Sequence, residues 1–243
     1  MQAFWIALQF LSSLPVRLPG MPEPAQLGRS LLFYPLVGLL FGALLWTLNA
    51  MLTGAPPLLH GALLLTAWVL LSGGLHLDGL ADSADAWLGG FGDRERTLLI
   101  MKDPRSGPIA VITLVLVLLL KFAALLALIE QGQVVALIIV PVLGRCALLG
   151  LFLTTPYVRA GGLGQALADH LPRHAGWQVL LVGALGCVLM GGWNGVSALI
   201  IASVVFVGLR QMMLRRLGGC TGDTAGALLE LLEMTVLVGL ALI

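Results

Sequence analysis

Between Ser72 and Phe91 the chain reads SGGLHLDGLADSADAWLGGF, which groups Asp78, Asp82 and Asp85 where a long apolar run ends. On a helix advancing about 100° per residue these positions fall within about 60° of one another, so the three carboxylates share one face. Such a face beside a membrane has little reason to exist unless it holds something cationic, a metal ion above all. Mg²⁺ takes one or two protein carboxylates and completes its octahedron with water and substrate phosphates, so an open aspartate stripe fits phosphate chemistry better than a closed cage. Asp82, central in the stripe, is the best single ligand candidate. The plainer alternative is a solvated helix face balanced by Arg94 and Arg96.

Three further motifs stand ahead of or behind apolar runs. In KDPRSGP, 102–108, Lys102 and Arg105 supply positive charge and the helix start after Gly107 offers free N–H groups to phosphate oxygens. Interfacial anchoring accounts for the same two basic residues. In GGCTGDTAG, 218–226, Thr221, Asp223 or Thr224 can cap a helix on which Asp223 and Glu230 share a face. In TTPYVRAGGLG, 154–164, Arg159 suits a phosphate or carboxylate and Tyr157 suits a ring, although both are also ordinary interface residues. Lys121, Arg145, Glu230 and Glu233 sit inside apolar runs, where ionisable groups face the bundle interior and pair with one another or with substrate. His76, two residues before Asp78, is either a substrate contact or a structural histidine. Pro172 between His170 and His174 argues against a metal pair there. No G-x-S-x-G elbow, Walker loop or dinucleotide fingerprint occurs.

The elements that must position these groups are membrane helices. Of the 243 residues 59% are hydrophobic and 10% charged, far from the roughly 25% charged of soluble domains. Apolar runs near 31–53, 58–77, 108–129, 134–153, 176–192, 195–214 and 225–243 predict an all-α polytopic bundle of about seven transmembrane helices forming a single domain, 1–243. Residues 1–14, apolar and followed by Pro15, predict a short N-terminal interfacial or re-entrant helix. Of the 13 Lys and Arg residues, all but Lys121 and Arg145 then fall on one side, with the N-terminus and every long connection. By the positive-inside rule that side is the cytoplasm. No basic run with interleaved aromatics points to nucleic acid, and Cys146, Cys187 and Cys220 lack the spacing of a disulfide framework or zinc site.

GGLHLDGLADSADAW, IMKDPRSGPIA, PYVRAGGLG and GGCTGDTAGALLE, with ALQFLSSLPV near the N-terminus, occur in the order and approximate spacing of one family. Over about residues 5–235 the chain resembles the adenosylcobinamide-GDP ribazoletransferases, also called cobalamin-5′-phosphate synthases. The resemblance implies a multi-pass enzyme of the bacterial inner membrane that joins adenosylcobinamide-GDP to α-ribazole or its 5′-phosphate, releases GMP and requires Mg²⁺. It makes Asp78, Asp82 and Asp85 the Mg²⁺ and pyrophosphate site, with Asp82, Asp85, Lys102 and Arg105 acting at the reaction centre. His76, Arg145, Tyr157, Arg159, Thr221, Asp223 and Glu230 become candidate substrate contacts. Association with a second copy or with other corrinoid-pathway enzymes is compatible with it. The DG-x-x-D opening is also similar to the CDP-alcohol phosphotransferases, but the Ala-Arg and the later G-x-x-x-D-x-x-x-D of those lipid enzymes are missing. A transporter using Lys121, Arg145 and Glu230 is the remaining alternative, disfavoured by the uncharged short connections.

Overall fold

The computed structural model describes residues 2–18, 20–159, 161 and 163–243, and it is all-α. The helices are α1 (Gln2–Leu11), α2 (Pro24–Ser30), α3 (Tyr34–Met51), α4 (Pro57–Ser72), α5 (Leu75–Gly89), α6 (Arg94–Ile100), α7 (Pro108–Glu130), α8 (Ala136–Thr154), α9 (Leu163–Asp169), α10 (Arg173–Gly191), α11 (Trp193–Leu217) and α12 (Gly222–Ala241). A 3₁₀ turn, Leu31–Phe33, joins α2 to α3. Among the described residues six helical stretches are long and apolar enough to cross a bilayer, with Pro24–Met51 taken as one, and the pair α4–α5 makes a seventh only if its two halves, bent by 86°, are counted together.

That bend departs from the expected span 58–77. Gly73 and Gly74 adopt φ of +63° and +72°, a left-handed pair that ends α4 at Ser72 and turns α5 by 86°. The aspartate stripe therefore lies on a separate helix that packs against the N-terminal halves of α7 and α12 instead of continuing the crossing. Leu77 and Leu80 on its inner side meet Val117 and Ala227.

Helix α8 is the axis of the bundle, buried along nearly its whole length. Its tightest neighbour is α3, where a Cβ on Gly38 would stand 2.5 Å from the Pro141 carbonyl oxygen and one on Gly42 2.6 Å from Ile138 Cα. Bilayer hydrocarbon is as apolar as leucine, so close backbone approach of this kind, with buried polar pairs, holds spans together better than hydrophobicity does. The outward faces of α7 and α10, including Ile112, Leu116, Leu119, Leu181, Leu185 and Leu189, stay exposed and apolar, as lipid contact requires. Helix α1 is more than an interfacial strip, since Ile6, Ala7, Leu8 and Leu11 are buried against the bundle.

Hydrogen bonds between connections show which loops share an end. At one end Ser13 N–H donates to Leu71 O at 2.9 Å, Arg94 Nε to Leu217 O at 2.7 Å and Arg216 Nη2 to Trp87 O at 2.7 Å. At the other, Asn194 Nδ2 donates to Gln133 Oε1 and Gln131 Nε2 to Ala241 O, both at 3.1 Å. The long connections and their basic residues thus gather at one end. Two of those arginines finish α8: Arg173 donates to Leu153 O and Arg210 to Thr154 O, a favourable use of cations at a helix C-terminus.

Candidate active site

Helix α5 crosses the start of α12 in direct contact. A Cβ on Gly79 would stand 2.8 Å from Asp223 O, and one on Gly226 3.1 Å from His76 O, so two glycines let the helices touch. This crossing brings Asp78 and Asp82 beside Asp223. Thr221 caps α12, its hydroxyl accepting from Thr224 N–H at 3.2 Å while Thr224 Oγ1 accepts from Thr221 N–H at 2.9 Å. With that cap supplied, Asp223 is free to face outward from the first turn. Its Oδ2 accepts from Arg159 Nη1 at 2.9 Å.

Arg159 is carried by the connection after α8, which is pinned to the one before α12. Val158 N–H donates to Cys220 O at 2.9 Å and Cys220 N–H to Pro156 O at 2.8 Å, around an isolated bridge between Tyr157 and Cys220. Only glycine fits at 219, where a Cβ would lie 2.2 Å from Pro156 O. Tyr157 stacks on Phe152, ring centroids 6.1 Å apart. Asp78, Tyr157, Arg159 and Asp223 line one cavity of about 360 Å³ together with His76.

The result is an excess of negative charge in a partly sheltered place. Burial, then the charges of Asp78, Asp223 and Asp85, push Asp82 up to about 6 against the pull of Arg159. Among the described residues no group of three or more His, Cys, Asp or Glu side chains is gathered closely enough to hold a metal ion alone. Two carboxylates and a diphosphate suffice for Mg²⁺, so Asp78 and Asp82 fit an ion that arrives with its substrate, not a resident caged one.

Over residues 3–241 the chain matches the family model described as cobalamin-5-phosphate synthase. The chain belongs to that family. It is 78% identical over 242 residues to the adenosylcobinamide-GDP ribazoletransferase of Pseudomonas fluorescens strain Pf0-1, with all of both chains covered. It is 78% identical to that of strain Pf-5 and 74% identical to that of Pseudomonas syringae pv. syringae strain B728a, again over the whole of each chain. No solved structure matches the chain.

Several groups expected at the site are occupied elsewhere. Asp85 accepts from the Gly107 and Ala110 N–H groups, capping α7 from another helix and filling the anion seat that Gly107 was expected to offer phosphate. Any metal contact by Asp85 must share its oxygens with those amides. Arg105 lies exposed and paired in a fork with Asp103 at 2.8–2.9 Å, and Lys102 is exposed in the same loop. Arg145 and Glu230 are sealed in the bundle, Glu230 on Lys121 and Arg145 on Glu233, which places them away from solvent and from the aspartate rim. Thr221 is fully buried as a cap. Among the polar lining residues Tyr34, at the start of α3, had no signal in its neighbourhood and reaches the cavity only through tertiary folding.

Proposed function

We propose that the chain joins adenosylcobinamide-GDP to α-ribazole or its 5′-phosphate and releases GMP, at the rim formed by Asp78, Asp82, Arg159 and Asp223. The observation that carries this is the convergence of three carboxylates and one arginine from α5, α12 and the α8–α9 connection, in a chain 78% identical over its whole length to ribazoletransferases. A ribose hydroxyl of the acceptor attacks the corrinoid-side phosphorus, a new P–O bond forms, and the bond to GMP breaks. Asp78 and Asp82 would hold Mg²⁺, which neutralises the diphosphate oxygens when bound. Arg159 turns from Asp223 toward a phosphate oxygen, and the carboxylate it leaves, with its neighbours, is placed to receive the hydroxyl proton. Asp85 keeps the stripe fixed to α7 so that donor and acceptor meet in line.

The direct test incubates the purified chain with adenosylcobinamide-GDP, α-ribazole and Mg²⁺ and follows GMP and corrinoid by mass spectrometry, with an EDTA control. Equimolar, EDTA-sensitive GMP and joined corrinoid are expected. A folded, monodisperse sample that yields neither product with either ribazole form overturns the reading.

We place the active end on the cytoplasmic side of the bacterial inner membrane, because the basic connections collect there. A cysteine at position 95 should label from the cytoplasm, and labelling solely from the opposite side would reverse the topology.

A further inference from the structure

The cavity beside the aspartate rim has two chemistries in its wall. Asp78, Arg159 and Asp223 give it charge, whereas Phe10, Leu11, Leu148 and Phe152 give it a hydrocarbon and aromatic lining drawn from α1 and α8. Tyr34 and His76 line it as well, 1% and 4% exposed, and their Oη and Nδ1 have no hydrogen-bond partner among the described residues. A buried polar atom left without a partner costs about 1–3 kcal/mol, so an occupant that brings an acceptor to Tyr34, on a small turn of that side chain toward the cavity it lines, would relieve one of these costs.

Size and chemistry select among the parts of the substrates. About 360 Å³ is at the small end of ligand pockets and admits a nucleoside-sized group, not a corrin ring. Guanine presents polar atoms around most of its edge, and an apolar lining with two free partners would strand the rest. The benzimidazole base of a ribazole is flat and apolar, and once one ring nitrogen is bonded to the sugar a single acceptor nitrogen remains. Tyr34 Oη–H is a donor of the right kind for it.

Resting on the proposed function, we infer that this cavity is the acceptor-base subsite: the benzimidazole of the ribazole lies among Leu11, Leu148 and Phe152, Tyr34 donates to its free ring nitrogen, and its ribose extends to Asp78 and Asp82. Helix α1 thereby becomes part of the substrate site, which explains why an apolar N-terminal helix folds back into the bundle.

Tyr34→Phe isolates the claim, because removing a hydroxyl that has no partner among the described residues costs little stability. The full chain in detergent is titrated with α-ribazole and, separately, with adenosylcobinamide-GDP, and turnover is followed with each substrate varied. Tyr34→Phe is expected to melt no lower than wild type, to weaken Kd and KM for α-ribazole about tenfold, and to leave KM for adenosylcobinamide-GDP unchanged. The α-riboside of guanine is expected to bind wild type at least about tenfold more weakly than α-ribazole. Unchanged ribazole affinity in folded Tyr34→Phe, an equal loss for both substrates, or equal affinity for the guanine riboside overturns the subsite. GMP release with Tyr34-independent ribazole affinity would sink the subsite and spare the transferase. Tyr34-dependent ribazole binding without GMP release would do the reverse.

Discussion

Two clusters of charge occupy this molecule, and they are built on opposite plans. In the bundle interior Lys121 Nζ donates to Glu230 at 2.6 Å and to Glu233 at 2.8 Å, while Arg145 donates to the other oxygen of Glu233. Two cations meet two carboxylates, and the rings of Trp68 and Phe41 cover the cations at 5.2 and 4.7 Å. At the rim where α5 crosses α12, Asp78, Asp82 and Asp223 face Arg159, which is already paired with Asp223. A closed cluster with its charges cancelled ties α7, α8 and α12 together. An open cluster carries surplus negative charge that a cation could neutralise, and the proposed function rests on that surplus.

The sharpest way to break the contrast is Asp82→Asn. Removing one carboxylate from the open cluster should lower turnover at least about 100-fold while the protein remains folded in the membrane. A fully active, Mg²⁺-dependent variant would remove Asp82 from the metal site. Glu233→Ala should act in the other currency. It strands Arg145 and half of the Lys121 pairing in the interior, so it should destabilise the bundle by about 3–5 kcal/mol, seen as a lower melting temperature in detergent. Residual active protein should keep the wild-type Mg²⁺ dependence. A Glu233→Ala melt equal to wild type would mean that the interior cluster holds nothing together.

Much of this contrast can be read along the chain. Lys121, Arg145, Glu230 and Glu233 inside apolar runs already demand inward pairing, because lipid offers them no partner. The stripe of Asp78, Asp82 and Asp85 follows from helical period, and a cap by Thr221, Asp223 or Thr224 can be read before the last helix. The turn between α4 and α5 is less visible: Gly73-Gly74 is its mark, but an apolar run continuing to Leu77 masks it. Long-range partners have no local period at all. Asp85 accepts from Gly107 N–H, 22 residues later, and Tyr34 joins His76 only when the starts of α3 and α5 meet at one cavity. Local pattern thus reports which groups are unusual, and tertiary packing decides which of them are spent on structure.

Titration sharpens the same difference. Asp82 has its folded value raised to about 6 from 3.8, so between those values the folded state holds the extra proton. The contribution of Asp82 therefore makes metal-free protein more stable as pH falls from 7 to 5, and that gain is lost as pH rises through about 6. The melting temperature should rise over this interval more in wild type than in Asp82→Asn. Mg²⁺ added at pH 7 should raise it as well, by relieving the same repulsion. Equal pH slopes in the two proteins would mean that Asp82 does not feel its neighbours.

The smallest expected effect lies at Arg105, which belongs to neither cluster yet stands near the open one. Its loop is held at one end by buried Met101, packed with Ala86 and Leu217, and at the other by the bond from Gly107 N–H to Asp85. Between those anchors the guanidinium is exposed and forked onto Asp103, whose carboxyl it holds down at about 2. Such a surface pair adds little to the fold, so Arg105→Ala should leave the melting temperature unchanged. If the arginine trades Asp103 for a donor phosphate, the two residues compete. Arg105→Ala should then raise KM for adenosylcobinamide-GDP about threefold, and Asp103→Asn, which frees the guanidinium, should lower it by a similar factor. Opposite shifts from two changes in one ion pair cannot come from loosened structure, which would move both the same way. No shift in either variant would leave the excess charge of the aspartate rim to be met by Mg²⁺ and Arg159 alone.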